Sequence, residues 1–389
     1  MSNKSQKTPA KPEPNTPVDP ERVREAIRTT GFNLEFQVSE QFRKAGWGVI
    51  NNKYYVDDAE GSVREIDLIA YRVETVGGVD IYTSLIVSCK KADENAWALL
   101  SKDLRLKDPN VDWHPQHVWA NEPKLNYMLT KTSWVSKYID ICKQHSVYNE
   151  LIAPSRHIFA FQEVSKSQYK CQNDKNIFGS ISSLMKAQGY EIGALNVRKM
   201  NKKKSVYWFG LLTVVDTELV RIDYSQDGST KAQQIDEERY IGSYIINQKE
   251  VTARIHFITA ASFSGVLSRY DELHQCNADL VSDLSEEFYV GLIEDDEKAS
   301  LVDRDFHRAV MSALNREISK VTNQWNTGDY KARLPLYPSS NRTVEVYGAK
   351  GADVEILNSS AEAKRVVSKA LEEYYRYQGT WKFEEEIPF

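Results

Sequence analysis

Near the start of the chain, apolar residues recur first at helical and then at strand spacing. Leu34, Val38 and Phe42 are four residues apart, which predicts a helix over Asn33–Lys44 that ends at Gly46. Segments rich in β-branched and aromatic residues follow, separated by turn-forming residues, and they predict strands. The predicted strands are Gly48–Val56, Val63–Val73 and Ile81–Lys91. The chain therefore starts its folded part with a helix and then three strands.

The middle of the chain alternates between predicted strands and helices. Residues 97–150 form a less regular insert that ends in a helix. From there the predicted elements are helix Ser133–Gln144, strand His157–Val164, helix Ile177–Tyr190, and strands Val206–Val215, Tyr240–Ile246 and Val251–Thr259. Val206–Val215 is a nearly unbroken apolar run, which is typical of a strand buried on both faces. The last two strands predict a hairpin, and Ser262 is a candidate cap for a helix after it.

The two ends of the chain differ in composition from the middle. Residues 1–20 are rich in Pro, Lys and polar side chains, which predicts a disordered tail. From Asp279 to Asp305 the sequence turns acidic, which favours a linker, and amphipathic helices are predicted over Asp305–Val321 and Ala361–Gln378. We therefore expect an α/β domain over residues 21–278 and an acidic linker with a helical C-terminal region over 279–389.

Composition limits how this chain can bind nucleic acid. Its 389 residues are 41% hydrophobic and 27% charged, as in an ordinary globular protein, and the formal net charge is −5. A protein of this charge cannot attract phosphates over its whole surface. Any binding of nucleic acid therefore needs a local basic patch.

The sequence carries no signal for a membrane or for export. No stretch approaches the roughly 20 apolar residues of a membrane span, and the N-terminus lacks the apolar core of a secretory signal. Cys89, Cys142, Cys171 and Cys276 are far apart and form no CxxC pair, which argues against a disulfide framework or a zinc ribbon. We expect a cytoplasmic protein without a membrane partner.

Two of the predicted strands carry the candidate chemistry. Alternation places Glu65 and Asp67 on one face of the first strand, and Ser88 and Lys90 on one face of the second. Asp67 and Lys90 can therefore converge, with Asp67 as an oxygen ligand of Mg²⁺ and Lys90 holding the attacking water or stabilising charge on a phosphate. Glu35 on the preceding helix is a candidate second carboxylate. The alternative is an ordinary cross-strand ion pair.

The runs LEFQVSEQFRKAGWGV, REIDLIAY and LIVSCKK, in this order, resemble the PD-(D/E)XK, or restriction-endonuclease-like, superfamily. The resemblance covers roughly residues 31–275. It implies an α/β fold with a core of a helix, three strands, a helix and a further strand, interrupted by the insert and extended by the C-terminal region. It maps the family's helix glutamate to Glu35, its strand aspartate to Asp67 and its lysine to Lys90.

The resemblance implies metal-dependent hydrolysis of DNA. The cofactor would be Mg²⁺, with Mn²⁺ as a substitute, held by Asp67, Glu35 and the backbone carbonyl of Cys89. Relatives of this kind often serve in restriction or antiviral defence, so the implied partners are DNA, a second copy of the chain and a protein of a defence system. The thiol of Cys89 faces the core by alternation, and we expect it to be structural.

One position departs from the family pattern. Two residues before the lysine, where the family has a second acidic residue, the chain has Ser88. A hydroxyl is a neutral and weaker ligand than a carboxylate, so three outcomes are open. Another acid substitutes, the metal is held more weakly through Ser88 or a water, or the site is inactive and the fold serves binding. The candidate substitutes are Glu65, Asp93, Glu94 and Glu163.

Two segments are candidates for contacting nucleic acid. In KAQGY, Lys186 and Tyr190 have the spacing of a Gln-x-x-x-Tyr motif of some relatives, with Lys in place of Gln, and they share a helix face. In RKMNKKK, the densest basic cluster of the chain, a solvated loop and a phosphate-contacting loop are both open. Its basic residues are Arg198, Lys199, Lys202, Lys203 and Lys204.

Three functions remain in competition at this point. The first is a Mg²⁺-dependent DNA endonuclease that uses Glu35, Asp67 and Lys90, with Ser88 in a compromised ligand position. The second is a catalytically silent module that binds nucleic acid or a partner protein. The third is a nuclease directed at RNA, which the sequence does not exclude.

Overall fold

The structure is a computed structural model, and it describes residues 17–57, 61–131, 133–197, 203–246, 248–326, 328–335 and 343–385. The helices are α1 (Pro20–Arg28), α2 (Phe32–Lys44), α3 (Pro123–Lys131), α4 (Trp134–Gln144), α5 (Lys175–Val197), α6 (Phe263–Phe288), α7 (Asp296–Thr322), α8 (Ala352–Ser359) and α9 (Ala361–Tyr375).

The strands in the first half of the chain are β1 (Gly48–Val56), β2 (Val63–Val76), β3 (Val79–Lys91), β4 (Asn95–Lys102), β5 (Val118–Ala120) and β6 (His157–Ser165). Those in the second half are β7 (Ser205–Asp216), β8 (Leu219–Tyr224), β9 (Thr230–Ile235), β10 (Glu237–Ile246), β11 (Lys249–Thr259), β12 (Lys331–Arg333), β13 (Val344–Tyr347) and β14 (Trp381–Phe383). The protein is therefore of the mixed α/β class.

The main sheet has the strand order β1-β2-β3-β7-β11-β10, and β5 pairs with the first half of β7. β1, β2 and β3 form an antiparallel meander, whereas β3, β7 and β11 run parallel. Parallel neighbours need a crossover connection, and α5 precedes β7 on the path back across the sheet. The central strands β3 and β7 are the most apolar because helices cover both of their faces.

A second sheet lies beside the first and has the order β6-β4-β8-β9. β4 starts four residues after β3 ends, and β8 starts three residues after β7 ends. Its buried side packs on the main sheet through Trp97, whose ring meets Phe257 of β11 edge-on with 6.0 Å between centroids. A small third sheet, β12-β13-β14, belongs to the C-terminal region.

Helices cover the two faces of the main sheet with separate apolar cores. On one face, α2 and the first half of α6 pack against Leu68, Leu85 and Val87. On the other face, α5 packs against Ile69 and Ile86. The alternation of side chains along β3 assigns neighbouring residues to opposite cores, as the strand pattern requires.

The C-terminal region shares a core with the main sheet. One buried cluster runs from Ile81 and Trp208 in the sheet, through the second half of α6, to Phe306 of α7 and the third sheet. The helix α6 is continuous from Phe263 to Phe288. The predicted boundary between residues 278 and 279 therefore falls inside a helix, and the start of the acidic segment is helical instead of a linker.

The predicted elements of the α/β part all occur, with ends shifted by a few residues. The hairpin of β10 and β11 is confirmed by its antiparallel register. Ser262 does stand at the start of α6, but its side chain makes no cap hydrogen bond. The predicted tail lies outside the described residues up to residue 16, and α1 begins at Pro20.

Among the described helices, none is both long and apolar enough to cross a membrane.

The shared core predicts that the whole chain unfolds as one unit. Phe306 is fully buried and its ring contacts Tyr375 edge-on, 5.2 Å between centroids. Phe306→Ala should lower the free energy of unfolding by about 3–5 kcal/mol, and should do so in a single transition. Chemical denaturation followed by circular dichroism and by tryptophan fluorescence measures this. Two separate transitions, with only one shifted, would show that residues 279–389 fold independently.

Candidate functional site

The main sheet contains a fork between β2 and β3. These strands pair from Leu68 and Val87 to the hairpin end at Val76 and Val79. Before that point, residues 63–66 of β2 pair with β1 and not with β3. After Val87, residues 88–91 of β3 pair with β7 and not with β2. The two strands therefore diverge at the end of β3, and Asp67 lies at the point of divergence.

The carboxylate of Asp67 takes the place of a backbone partner in the fork. Its Oδ2 accepts the backbone N–H of Cys89, with 2.7 Å between the atoms, and the hydroxyl of Ser88 donates to the same oxygen over 3.3 Å. A buried amide without an acceptor would destabilise the fold, so this hydrogen bond both stabilises the fork and fixes the carboxylate. The two strands thus hold Asp67 in one orientation.

Glu35 faces the same place from the first turn of α2. Burial is the main cause that raises the pKa of its carboxyl, and the charges of Asp67 and Glu65 raise it further. Lys90 acts in the opposite direction and lowers the pKa of Glu35. The structure therefore brings Glu35, Asp67 and Lys90 into one electrostatic neighbourhood, as the predicted site requires.

The ammonium of Lys90 is not used to hold the fold. Within the described ranges, the side chain of Lys90 forms no hydrogen bond or ion pair, so the alternative of an ordinary Asp67–Lys90 salt bridge is not what the structure contains. The adjacent Lys91 behaves differently, since its Nζ lies 3.2 Å from the carbonyl oxygen of Arg28 and 3.3 Å from Asp93. Two neighbouring lysines therefore have distinct roles, because side chains alternate along a strand.

The acids proposed to replace the missing carboxylate at Ser88 differ in their surroundings. Glu163 is almost fully buried and already accepts hydrogen bonds from Asn95 and from both the backbone and the side chain of Asn176. Asp93 pairs with Lys91 on the surface. Glu65 instead lies close enough to Glu35 to raise its pKa and lines the same small pocket as Asp67 and Ser88. Glu94 does not line this pocket and is not among the charges that act on Glu35, so Glu65 is the best placed of the four.

That small pocket lies between the fork and α5. Ser183, Leu184 and Ala187 form its wall on the helix side, opposite Asp67 and Ser88. Its volume of about 10 Å³ corresponds to room for one water molecule. The sequence carries no signal for Ser183, because nothing in the local pattern of α5 distinguishes this serine from its neighbours.

Lys186 and Tyr190 lie on the same helix but are engaged by the protein. The Nζ of Lys186 is 2.7 Å from the buried carboxylate of Asp57, at the end of β1. Tyr190 packs on Tyr55, with ring centroids 6.2 Å apart. A second ion pair, between Lys53 and Glu191 at 2.5 Å, fixes the next turn of α5 to β1. The structure therefore gives Lys186 and Tyr190 a role in docking α5 near the fork.

The described part of the basic cluster lies far from the fork. Lys203 is 3.5 Å from Asp80, and Lys204 is 3.3 Å from Glu122. Asp80 lies at the start of β3, ten positions before Lys90, which is roughly 33 Å along a strand. Lys203 and Lys204 are thus at the opposite end of the sheet from the candidate site. Arg198, Lys199 and Lys202 lie outside the described residues.

Cysteine and histidine add no further ligands to the fork. Burial raises the pKa of the Cys89 thiol well above its usual range, which agrees with a structural thiol. All four cysteines are free. His114 hydrogen-bonds the hydroxyl of Tyr148, and His117 the carbonyl of Thr252, so each of these two rings has a separate partner.

The residues at the fork are compatible with Mg²⁺, but they supply few ligands for this ion. This ion commonly uses one or two carboxylates and takes its other ligands from water and phosphate. Asp67 keeps its Oδ1 available, and the carboxylate of Glu35 has no hydrogen-bond partner in the described part of the chain. The same part of the chain contains no group of three or more His, Cys, Asp or Glu side chains suited to a metal. The described residues therefore supply at most two carboxylate ligands here, Asp67 and Glu35.

No protein-family model, no curated protein and no solved structure matches this chain significantly.

The raised pKa of Glu35 predicts how stability depends on pH. An acid whose pKa is higher in the folded than in the unfolded chain lowers stability as the pH rises through the raised value. Glu35→Gln should therefore increase the free energy of unfolding at pH 7.5, and the difference should vanish below about pH 4, where the unfolded acid is protonated too. Urea denaturation at both pH values measures this. Glu40→Gln, on the same helix but paired with Arg43 on the surface, should give no such gain.

The ion pair of Lys186 predicts a structural effect. Lys186→Met leaves the Asp57 carboxylate buried without its closest cation and should lower the free energy of unfolding by about 3 kcal/mol. Asp57→Asn in the same chain should restore part of this loss, because the buried charge is then absent. Thermal and urea denaturation of the single and double variants tests the pair. An unchanged stability of Lys186→Met would leave this lysine available for a nucleic-acid contact.

Proposed function

We propose that this protein is a metal-dependent nuclease that hydrolyses phosphodiester bonds of DNA at the β2–β3 fork. The observation that supports this most strongly is the fork itself. It fixes the Asp67 carboxylate on the amide of Cys89 and leaves Lys90, two residues from Ser88, without an ion-pair partner in the described ranges. A constrained carboxylate beside a free ammonium and a second carboxylate is the arrangement that phosphodiester hydrolysis needs.

The order of elements supports a restriction-endonuclease-like core as part of the proposal. α2, β1, β2, β3, α5 and β7 follow one another as helix, three strands, helix and strand. β7 pairs with β3 in parallel, so the strand that carries Lys90 is central in the sheet and its last residues are held by β7. The insert between β3 and α5 contains β4, β5, β6, α3 and α4.

Each side chain at the fork would have a separate role. Asp67 and Glu35 would hold a divalent cation, Mg²⁺ or Mn²⁺, and Glu65 is the closest further acid. When bound, such a cation polarises a phosphate oxygen and makes a coordinated water more acidic. Lys90 would orient the attacking water and stabilise the negative charge that grows on the phosphate. Ser88 and the amide of Cys89 hold Asp67 in position for this.

The mutual repulsion of the acids is a further argument for a cation. Glu35, Glu65 and Asp67 lie near one another, and their charges raise the pKa of Glu35 although Lys90 opposes them. A divalent cation would relieve this repulsion, so bound cation should stabilise the folded state.

A catalytically silent binding module is the second candidate, and Ser88 favours it. This residue replaces the second acid of the family pattern, and its hydroxyl is occupied by the Asp67 carboxylate. In that case the cation site would be weak or absent and the fold would serve binding. DNA and RNA remain alternative substrates of the active form, so both belong in the assay.

Cleavage of plasmid DNA and of labelled DNA and RNA oligonucleotides, with Mg²⁺ and with Mn²⁺, tests the proposal. Asp67→Asn, which keeps the acceptor oxygen for Cys89, and Lys90→Ala should each reduce cleavage by about 100-fold or more. The reason is that each variant removes one charge from the reacting centre and leaves the fork paired.

Lys91→Ala is the matched control, because Lys91 is adjacent in sequence but contacts Arg28 and Asp93 away from the fork. It should cleave as the wild type does. Mg²⁺ should also raise the melting temperature of the wild type and not that of Asp67→Asn. Absence of cleavage together with absence of this thermal shift would contradict the nuclease and leave the binding module.

A further inference from the structure

The second sheet presents one open face. Its buried side is formed by residues such as Trp97 and Leu99, which pack on the main sheet and α5. The residues between them point the other way, and none of those on β4 and β8 is fully buried. One row across this face runs Ala160, Leu100, Ile222 and Ala232. Small and aliphatic side chains thus form a flat surface.

Two aromatic rings stand at one end of this open face. Phe159 of β6 is 46% exposed and Tyr224 of β8 is 38% exposed. Their rings meet edge-on with 5.5 Å between centroids, and both line one shallow pocket. A register shift of β6 against β4 after Leu100 places Phe159 beside this end of the sheet. Partly exposed aromatic rings are suited to stacking on another planar group.

Two cations flank the aromatic pair. The Nζ of Lys102 lies 5.8 Å from the centre of the Phe159 ring, and Arg105 lines the same pocket. Neither forms an ion pair with a described residue. The nearby acids are engaged, because Asp103 pairs with Arg156 and Asp108 accepts from the amides of Asn110. The pocket therefore carries surplus positive charge on a protein whose net charge is −5.

The loop that carries Arg105 is fixed by a buried tryptophan. The indole N–H of Trp113 donates to the carbonyl oxygen of Arg105 over 3.2 Å. The ring of Trp113 packs edge-on against His157, the first residue of β6, with 5.3 Å between centroids. The backbone of Arg105 is thereby held next to β6 before any ligand binds, which reduces the backbone entropy lost on binding.

We propose that Phe159, Tyr224, Lys102 and Arg105 form a binding site for single-stranded nucleic acid. A base stacks on the exposed part of the Phe159 or Tyr224 ring, and the two cations neutralise the neighbouring phosphates. Bases within a duplex are already stacked on each other, so the site selects unpaired segments. Sugar–phosphate backbone and base together explain why rings and cations occur side by side, since rings alone would suit any apolar ligand.

This binding site would hold the substrate of the proposed nuclease, so its biological use rests on that proposed function. β4 begins four residues after β3, which carries Lys90, and Lys102 lies seven residues further along β4. Lys102 is thus twelve residues after Lys90, and the chain separates the two by at most roughly 43 Å. A single strand long enough to span this distance can be held at the aromatic pair and enter the fork, without Phe159 or Lys102 contacting the reacting atoms.

Fluorescence anisotropy with labelled 20-mers of thymidine and of uridine nucleotides, and with a duplex of equal length, tests the site in EDTA. Phe159→Leu with Tyr224→Leu keeps the apolar surface and removes both rings, so the affinity for single strands should fall about 5-fold or more. Tyr224→Phe keeps the ring and should bind as the wild type does. Lys102→Ala with Arg105→Ala should reduce the slope of log affinity against log salt by about 1.4, since each phosphate contact contributes about 0.7.

Trp325→Ala is the matched control, because Trp325 is an exposed ring, 68% accessible, beyond the end of α7. It should leave the affinity unchanged. Three results overturn the site: no binding of single strands, equal binding of the duplex, or unchanged affinity in the Leu and Ala variants. Because EDTA prevents metal-dependent cleavage, a failed nuclease assay with intact, ring-dependent binding would overturn the proposed function alone.

Discussion

The hydrogen bond from the amide of Cys89 to the carboxylate of Asp67 is the interaction on which the candidate site depends. It occurs where β2 leaves β3, so that a backbone donor needs an acceptor that the neighbouring strand no longer supplies. A carboxylate there satisfies the amide and is itself held rigidly. One contact therefore links the topology of the sheet to the position of a charged group.

Some charged side chains near the fork stabilise the fold, and others remain available for chemistry. Ion pairs of Lys186 with Asp57 and of Lys53 with Glu191 fix α5 against β1, so those charges serve docking. Lys90 and Glu35 have no such partners in the described part of the chain, and Glu35 has a raised pKa because it is partly buried among other acids. Charges that a fold leaves unneutralised near one another are candidates for function, since structural charges are normally paired.

The second sheet also combines a structural side with a side that is available for binding. β4 and β8 each start shortly after the central strands β3 and β7 end. One side of the sheet completes the core through Trp97, and the other carries the exposed pair of Phe159 and Tyr224. The second sheet thus adds a surface with both rings and cations beside the main sheet.

The sequence by itself determined the long strands of the main sheet, the helices α2 and α5, and the pairing of Asp67 with the segment of Lys90, because residue periodicity depends on local geometry. It did not predict β4, β8 and β9, which form the second sheet together with β6. Only the tertiary structure decided which charges remain free. It placed Lys203 and Lys204 at the far end of the sheet and engaged Lys186 and Glu163 in the fold. It also continued α6 across the predicted boundary at residue 279 and brought Phe159 to Tyr224. These outcomes depend on contacts between residues distant in the chain, which spacing along the sequence does not encode.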